Sequence, residues 1–218
     1  MTGLIIVGLA IAAYLLGSFP TGYLLTKLLT GLDIREQGSG STGATNVLRT
    51  VGKGAAAAVL LIDALKGSLA VLLVYGVGQI SPYLAPTLQP WLATAAGLIA
   101  LIGHSRSVWL RFQGGKSVAT SIGILFVMSP LVALGTLGVF GITLAVSRIV
   151  SLGSVMGAIA VGIWMVVLGQ PLPYILFGII AGLYVLVRHR ANIQRILAGT
   201  EPMIGQKLQA DPPTQPSP

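Results

Sequence analysis

The sequence predicts an all-α integral membrane protein of seven transmembrane helices, and three observations predict it. Residues 1–26, 67–105, 117–147 and 149–187 contain no Asp, Glu, Lys or Arg. Mean hydropathy is +0.89, and charged residues make up 8% of the chain. Gly accounts for 29 of 218 residues, a small-residue content that lets membrane helices approach closely. A soluble domain of this length scatters charge over its whole surface. Here the uncharged stretches have the length of one or two crossings, since a hydrocarbon core takes about 20 apolar residues per helix.

The first span covers residues 4–26 and is interrupted at Pro20. It lacks the basic region and small-residue cleavage site of a signal peptide, so it is read as uncleaved. Lys27 follows it, and basic residues stay inside, which puts the N-terminus outside. After a polar loop at 27–53 comes a second span at 54–77. An uncharged turn at 78–90 then leads to a third span at 91–103. Arg106, Arg111 and Lys116 mark the next cytoplasmic loop. The segment 117–147 must leave and return in 31 residues, a tight length for two spans, with its turn at Ser129-Pro130. Arg148 brings the chain back inside. The segment 149–187 crosses twice more around Gly169-Gln170-Pro171, and Arg188, Arg190 and Arg195 leave the C-terminus cytoplasmic. The expected organisation is a single membrane domain over 1–201, with polar loops at 27–53, 104–117, 148–154 and 188–201. Residues 202–218, rich in Pro and polar side chains, read as a disordered tail. The net charge of +8 is accounted for by loop insertion and needs no nucleic acid partner. With no Cys in the chain, disulfides and thiol chemistry are excluded.

Water-dependent chemistry is then confined to the loops. The run Gln37-Gly38-Ser39-Gly40-Ser41-Thr42-Gly43-Ala44-Thr45-Asn46-Val47-Leu48-Arg49 combines glycines, hydroxyls and a guanidinium. Curled glycine backbone presents N–H groups to an anion, and Arg clamps phosphate bidentately. Gly38, Gly40 and Gly43 spell the dinucleotide fingerprint with Asp63 at the acidic position, but that motif needs a preceding strand, and a membrane span stands there instead. The second loop runs from Gly103-His104 through Trp109 to Gly114-Gly115-Lys116-Ser117. It is not a nucleotide P-loop, because Leu110 stands where the first glycine is required. Two glycines and a Lys at the start of a span still suit an anion. Ser151 and Ser154 at the third loop, taken alone, suit helix capping better than binding. His189 and Asn192 share one helix face, where His189 can act as a base or as a donor to phosphate. Asp63 and Lys66, three apart inside a span, pair on one face and suit a structural role, pinning the first loop against the bundle near the cytoplasmic face, at least as well as a catalytic one. No nucleophile elbow occurs, Trp109 and Gln194 occupy the Asp position of a His-x4-Asp box, and no side chains have metal spacing. The residues therefore favour anion clamping and positioning without cofactor or metal. A transporter of phosphorylated metabolites and a lipid-binding scaffold are the alternatives; the former predicts inverted repeats, and none is evident.

Taken together, these loops resemble those of the bacterial acyl-phosphate-dependent glycerol-3-phosphate acyltransferases, over residues 4–205. The similarity is carried by Gly38–Arg49, by Gly103-His104 through Gly114-Gly115-Lys116 and Val118-Ala119-Thr120, by Arg188-His189-Arg190-Ala191-Asn192-Ile193 with Gly199 and Glu201, and by Asp63-Ala64-Leu65-Lys66-Gly67. The resemblance implies catalytic roles for Ser39, Arg49, Lys116, His189 and Asn192. It implies substrate binding by Gly38, Gly40, Thr45, Asn46, His104, Gly114, Gly115 and Ser154, and structural support from Asp63, Lys66 and Glu201. It further implies acyl phosphate and glycerol-3-phosphate as substrates within membrane lipid, no cofactor, and an active site at the cytoplasmic face of the plasma (inner) membrane. A functional link to the enzyme that makes acyl phosphate follows too. The chain departs from the family pattern at Ser41, Ser107, Gln113 and Ser117, where Asn, Pro, Lys and Gly are usual.

Overall fold

A computed structural model describes residues 1–206 of the chain. The described residues form ten α-helices and no strands. In chain order they are α1 (Thr2–Ser18), α2 (Thr21–Thr30), α3 (Ala44–Thr50), α4 (Lys53–Ile80), α5 (Gln89–Ser105), α6 (Val118–Met128), α7 (Pro130–Ser147), α8 (Val150–Val167), α9 (Leu172–Arg188) and α10 (Arg190–Leu197).

The apolar rods agree with the charge-free stretches. Five segments are long and apolar enough to cross a membrane: Thr2–Thr30, Lys53–Ile80, Pro86–Ser105, Pro130–Ser147 and Val150–Val167. A sixth is supplied if α9 and α10, bent by 62° at His189, count as one. The remaining apolar helix, α6, has 11 residues. That shortness is what the tight 117–147 segment implies, because Ser129-Pro130 ends one helix and starts the next. Pro20 has no N–H to donate, so the first rod breaks at Phe19-Pro20 into α1 and α2.

Close approach holds the bundle together. α1 packs on α5, α4 on both α5 and α6, α7 on α8, and α9 on α5 and α8. At the α1–α5 crossing Gly17 lies against the Ala100 carbonyl, and at the α4–α6 crossing Gly67 lies against Thr120 and Gly123 against Ala64, where any Cβ would collide with the backbone oxygen. Without a hydrophobic drive between helices in lipid, such contact is what van der Waals packing requires. The main core runs through Ala13, Val71, Ala100, Ile124, Val132 and Phe177, all fully buried. Leu61, Leu65, Leu69 and Leu72 of α4 are exposed, the arrangement expected of side chains that face lipid tails.

The expected boundaries need two adjustments. His104 belongs to α5 rather than to the following loop, because the helix continues to Ser105. Of the tail expected from residue 202, Pro202 is buried and the Ile204 N–H donates to the Arg148 carbonyl at 2.8 Å. Residues 207–218 lie outside the described residues.

Candidate active site

The first polar loop is a built structure rather than a linker. Asp33 accepts from the Arg35 N–H at 2.9 Å and pairs with its guanidinium at 2.6 Å, which caps a short turn at Ile34–Glu36. Ile34 and Val47 are fully buried under the loop against Ala56 and Val59 of α4. Asn46 organises the glycine-rich run. Its amide donates to the carbonyls of Gln37 (2.8 Å), Ser41 (2.9 Å) and Ile34 (3.3 Å), and its Oδ1 accepts from the Ser39 N–H at 3.1 Å. Substrate contact was the expectation for Asn46. Asn46 lies on the cavity wall, and its polar atoms are also engaged by the loop, so it shapes Ser39 and Ser41.

The second loop is clamped between α5 and α9. The Gly115 N–H donates to the His104 carbonyl at 3.3 Å, and the Arg188 guanidinium donates to the Gly115 carbonyl at 3.1 Å. A Cβ at Gly115 would run into the His104 ring, and one at Gly114 into the His104 carbonyl. These glycines work by letting the loop lie flat on α5. Ser117 has a left-handed φ of 64°, the region glycine occupies most easily, which is the physical reason Gly is usual there. Its hydroxyl donates to the Leu101 carbonyl at 2.8 Å and holds the turn.

These loops, with α8, α9 and α10, line a cavity of about 220 Å³. Its polar end holds Ser39, Arg49, Lys116, Ser154, His189 and Asn192, with Thr45, Asn46, Asp63, His104 and Glu201 also on the wall. Deeper in, its lining is apolar: Leu125 of α6, Phe140 of α7, Val161 of α8 and Phe177 of α9 are among the walls. Gly38, Gly40, Gly114 and Gly115, expected to bind substrate, are absent from the lining.

A chain of polar contacts orients the Lys. Glu201 accepts from Ser151 Oγ, Asn192 Nδ2 and Arg195 Nε, each at 2.7 Å. With its amide committed to Glu201, Asn192 turns its Oδ1 to Lys116 Nζ at 2.5 Å. Burial alone would raise the Glu201 carboxyl, but the three hydrogen bonds together hold it below the usual carboxylate value. Burial pulls the Lys116 ammonium down to about 8; Glu201 opposes this, and the cations Arg195, Arg49 and Arg188 add to it. Arg49 is lowered by burial as well, yet a guanidinium stays charged at any ordinary pH. His189 Nδ1 lies 2.8 Å from the Val185 carbonyl. A carbonyl only accepts, so Nδ1 carries the proton and Nε2 keeps its lone pair. Burial, then the Lys116 charge, lowers the imidazole to about 4. The break at His189 thus puts a neutral acceptor beside a cation.

Asp63 and Lys66 do form their pair, at 2.8 Å, with both side chains buried. The pair was expected to pin the first loop. Lys66 Nζ donates instead to the Phe19 carbonyl at 2.9 Å, so it secures the α1–α2 break. His104 Nδ1 lies 3.7 Å from Asp63, beyond hydrogen-bond reach. Sequence reasoning missed Arg188 and Arg195 as supports and assigned Ser151 no specific partner. Each acts through a contact between residues distant in the chain or through a carboxylate whose position the sequence alone does not reveal.

A helical membrane pocket with a cationic mouth and an apolar body defines a class of protein that handles an anionic headgroup together with a lipid tail. The comparisons narrow that class. Residues 7–199 match the family model described as glycerol-3-phosphate acyltransferase. A glycerol-3-phosphate acyltransferase of Trichormus variabilis is 64% identical over 206 residues, covering 91% of each chain. One of Synechococcus elongatus is 53% identical over 203 residues, 93% of this chain and 96% of the relative. Among solved structures, the integral membrane glycerol 3-phosphate acyltransferase PlsY (YgiH) in its glycerol 3-phosphate form aligns with a TM-score of 0.83 and 37% identity, over 92% of this chain and 96% of that one. The chain belongs to the glycerol-3-phosphate acyltransferase family.

Proposed function

We propose that the protein transfers an acyl group from acyl phosphate to the sn-1 hydroxyl of glycerol-3-phosphate, releasing 1-acyl-glycerol-3-phosphate and inorganic phosphate. The single observation that carries this reading is the cavity itself, where Arg49, Lys116 and His189 share a wall with Ser39 and Ser154 at the mouth of an apolar channel. Both reactants are anionic, and both must lie together beside a lipid tail. Arg49 and Lys116 offset their repulsion and hold them in attack geometry. The glycerol hydroxyl attacks the mixed-anhydride carbonyl, and the carbon–oxygen bond to phosphate breaks. The hydroxyl proton passes to His189 Nε2 or to the departing phosphate. The donor is already activated, so no enzyme nucleophile is required.

Seven apolar segments, with α6 as the shortest, support a seven-span topology with the N-terminus outside and the cavity mouth at the cytoplasmic face of the plasma membrane. An enzyme supplying acyl phosphate would deliver it at that face.

The test is phosphate release by purified protein given palmitoyl phosphate and glycerol-3-phosphate. Lys116→Ala is expected to lower kcat by about 10²–10³, the loss typical of one electrostatic donor at a reacting centre, while the protein keeps its helical circular dichroism. No phosphate release by the wild type would sink the reaction; near-normal turnover in the variant would sink the role of Lys116.

A further inference from the structure

We infer that residues 106–113, between α5 and α6, are an interfacial anchor that seats Trp109 and Phe112 in the headgroup boundary of an anionic bilayer leaflet. None of these residues lines the cavity, and the proposed chemistry uses none of them. Trp109 is 62% exposed and Phe112 57%, while Leu110 between them is 4% exposed. The segment is a tight hairpin. The Ser107 carbonyl accepts from the N–H groups of Leu110 (3.1 Å) and Phe112 (2.8 Å), and Gln113 N–H donates to the Leu110 carbonyl at 3.2 Å. Arg111 and Phe112 have left-handed φ values of 53° and 60°, which side-chain-bearing residues adopt only where the surroundings hold them. That backbone turns both rings outward and Leu110 inward.

The level of the hairpin relative to the helices identifies what the rings meet. Tyr14 OH donates to the Arg106 carbonyl at 2.8 Å, and Ser107 Oγ donates to the Ser18 carbonyl at 2.5 Å. Both partners belong to α1, and the apolar rod continues beyond them through α2 to Thr30. The hairpin is therefore held beside the last turns of α1 and does not project into water. At that level a side chain turned away from protein faces the bilayer boundary, where an apolar ring with a polar N–H is favoured. The charge fits the same partner. Arg106 and Arg111 are exposed, and among the described residues neither pairs with a carboxylate. Cations without local carboxylates suit anionic phospholipid headgroups.

The experiment compares the full-length wild type with Trp109→Phe in vesicles of phosphatidylcholine and phosphatidylglycerol. Trp91 and Trp164 remain in both, so the difference in emission isolates Trp109. The difference signal should be quenched by lipids brominated near the carbonyl end of their chains and shielded from aqueous iodide. With Arg106→Gln and Arg111→Gln in both proteins, bromolipid quenching should fall by about half or more, as loss of two surface cations near anionic lipid predicts. Quenching by iodide but not by bromolipid would overturn the anchor and make the hairpin a water-facing surface for a soluble partner. Equal bromolipid quenching in purely zwitterionic vesicles would overturn the anionic partner.

Discussion

Lys116 is the residue whose surroundings translate most directly into a measurable rate. Its ammonium, lowered to about 8 by burial, must be charged to hold a phosphate. Protonated Lys116 predominates below that value and is lost as pH rises through it. The rate constant kcat/KM is expected to fall on the alkaline side with an apparent pKa near 8, since that profile reports the free enzyme's groups. Lys116→Arg keeps a cation whose own pKa lies far higher, so it should remove the alkaline limb even where it lowers the rate. An unchanged limb in that variant would assign the titration to another group. His189, lowered to about 4, stays neutral across the physiological range and contributes no limb there. The sequence could point to Lys116 through its glycines and to His189 through its spacing from Asn192. It could not show that Asn192 turns its oxygen to Lys116 because Glu201 holds its nitrogen, since that order depends on a contact made only in the fold.

At the scale of elements, α9 lines the cavity from Phe177 to His189. Phe177 lies twelve residues before His189, or about 18 Å along the helix axis at 1.5 Å per residue, and it is fully buried on the cavity wall together with Leu125 and Val161. An extended chain advances about 1.2 Å per bond, since a three-bond residue spans at most about 3.6 Å, so roughly 15 bonds fit between the mouth and the ring. Phe177→Ala should therefore shift the preferred donor toward longer chains, with the ratio of stearoyl to myristoyl transfer rising by about tenfold if the new space gains even 1.4 kcal/mol of apolar burial. Competition among myristoyl, palmitoyl and stearoyl phosphates measures this. An unaltered profile with activity intact would mean that the tail leaves sideways between helices. Phe177 was not legible as a site residue, because one Phe in an apolar span reads as packing until a cavity is seen to be lined by it. The short helix α6, by contrast, followed from counting residues between Lys116 and Arg148.

For the molecule as a whole, the proposed reaction needs Arg49, Lys116 and His189 on one side of the bilayer. The chain contains no Cys, so each engineered cysteine is the sole thiol. Cysteines at Lys53 and Arg190 should react with an impermeant maleimide only in inverted vesicles, and one at Ser81 only in intact cells. Labelling of Lys53→Cys and Arg190→Cys from opposite sides would break the shared pocket and the reaction with it.

The sequence by itself determined the order of the apolar segments and the loops that carry charge, because the cost of placing ions in hydrocarbon writes those boundaries directly into composition. It also supplied the family, through motifs whose residues appear in order. Only the tertiary structure decided that Asn46 builds its loop rather than facing the cavity alone, that Lys66 holds the α1–α2 break, and that Glu201, Asn192 and Lys116 form one line of contacts. Those outcomes depend on which helix crosses which, and that is set by backbone approach at Gly17, Gly67 and Gly123, a three-dimensional fit that no local pattern of residues encodes.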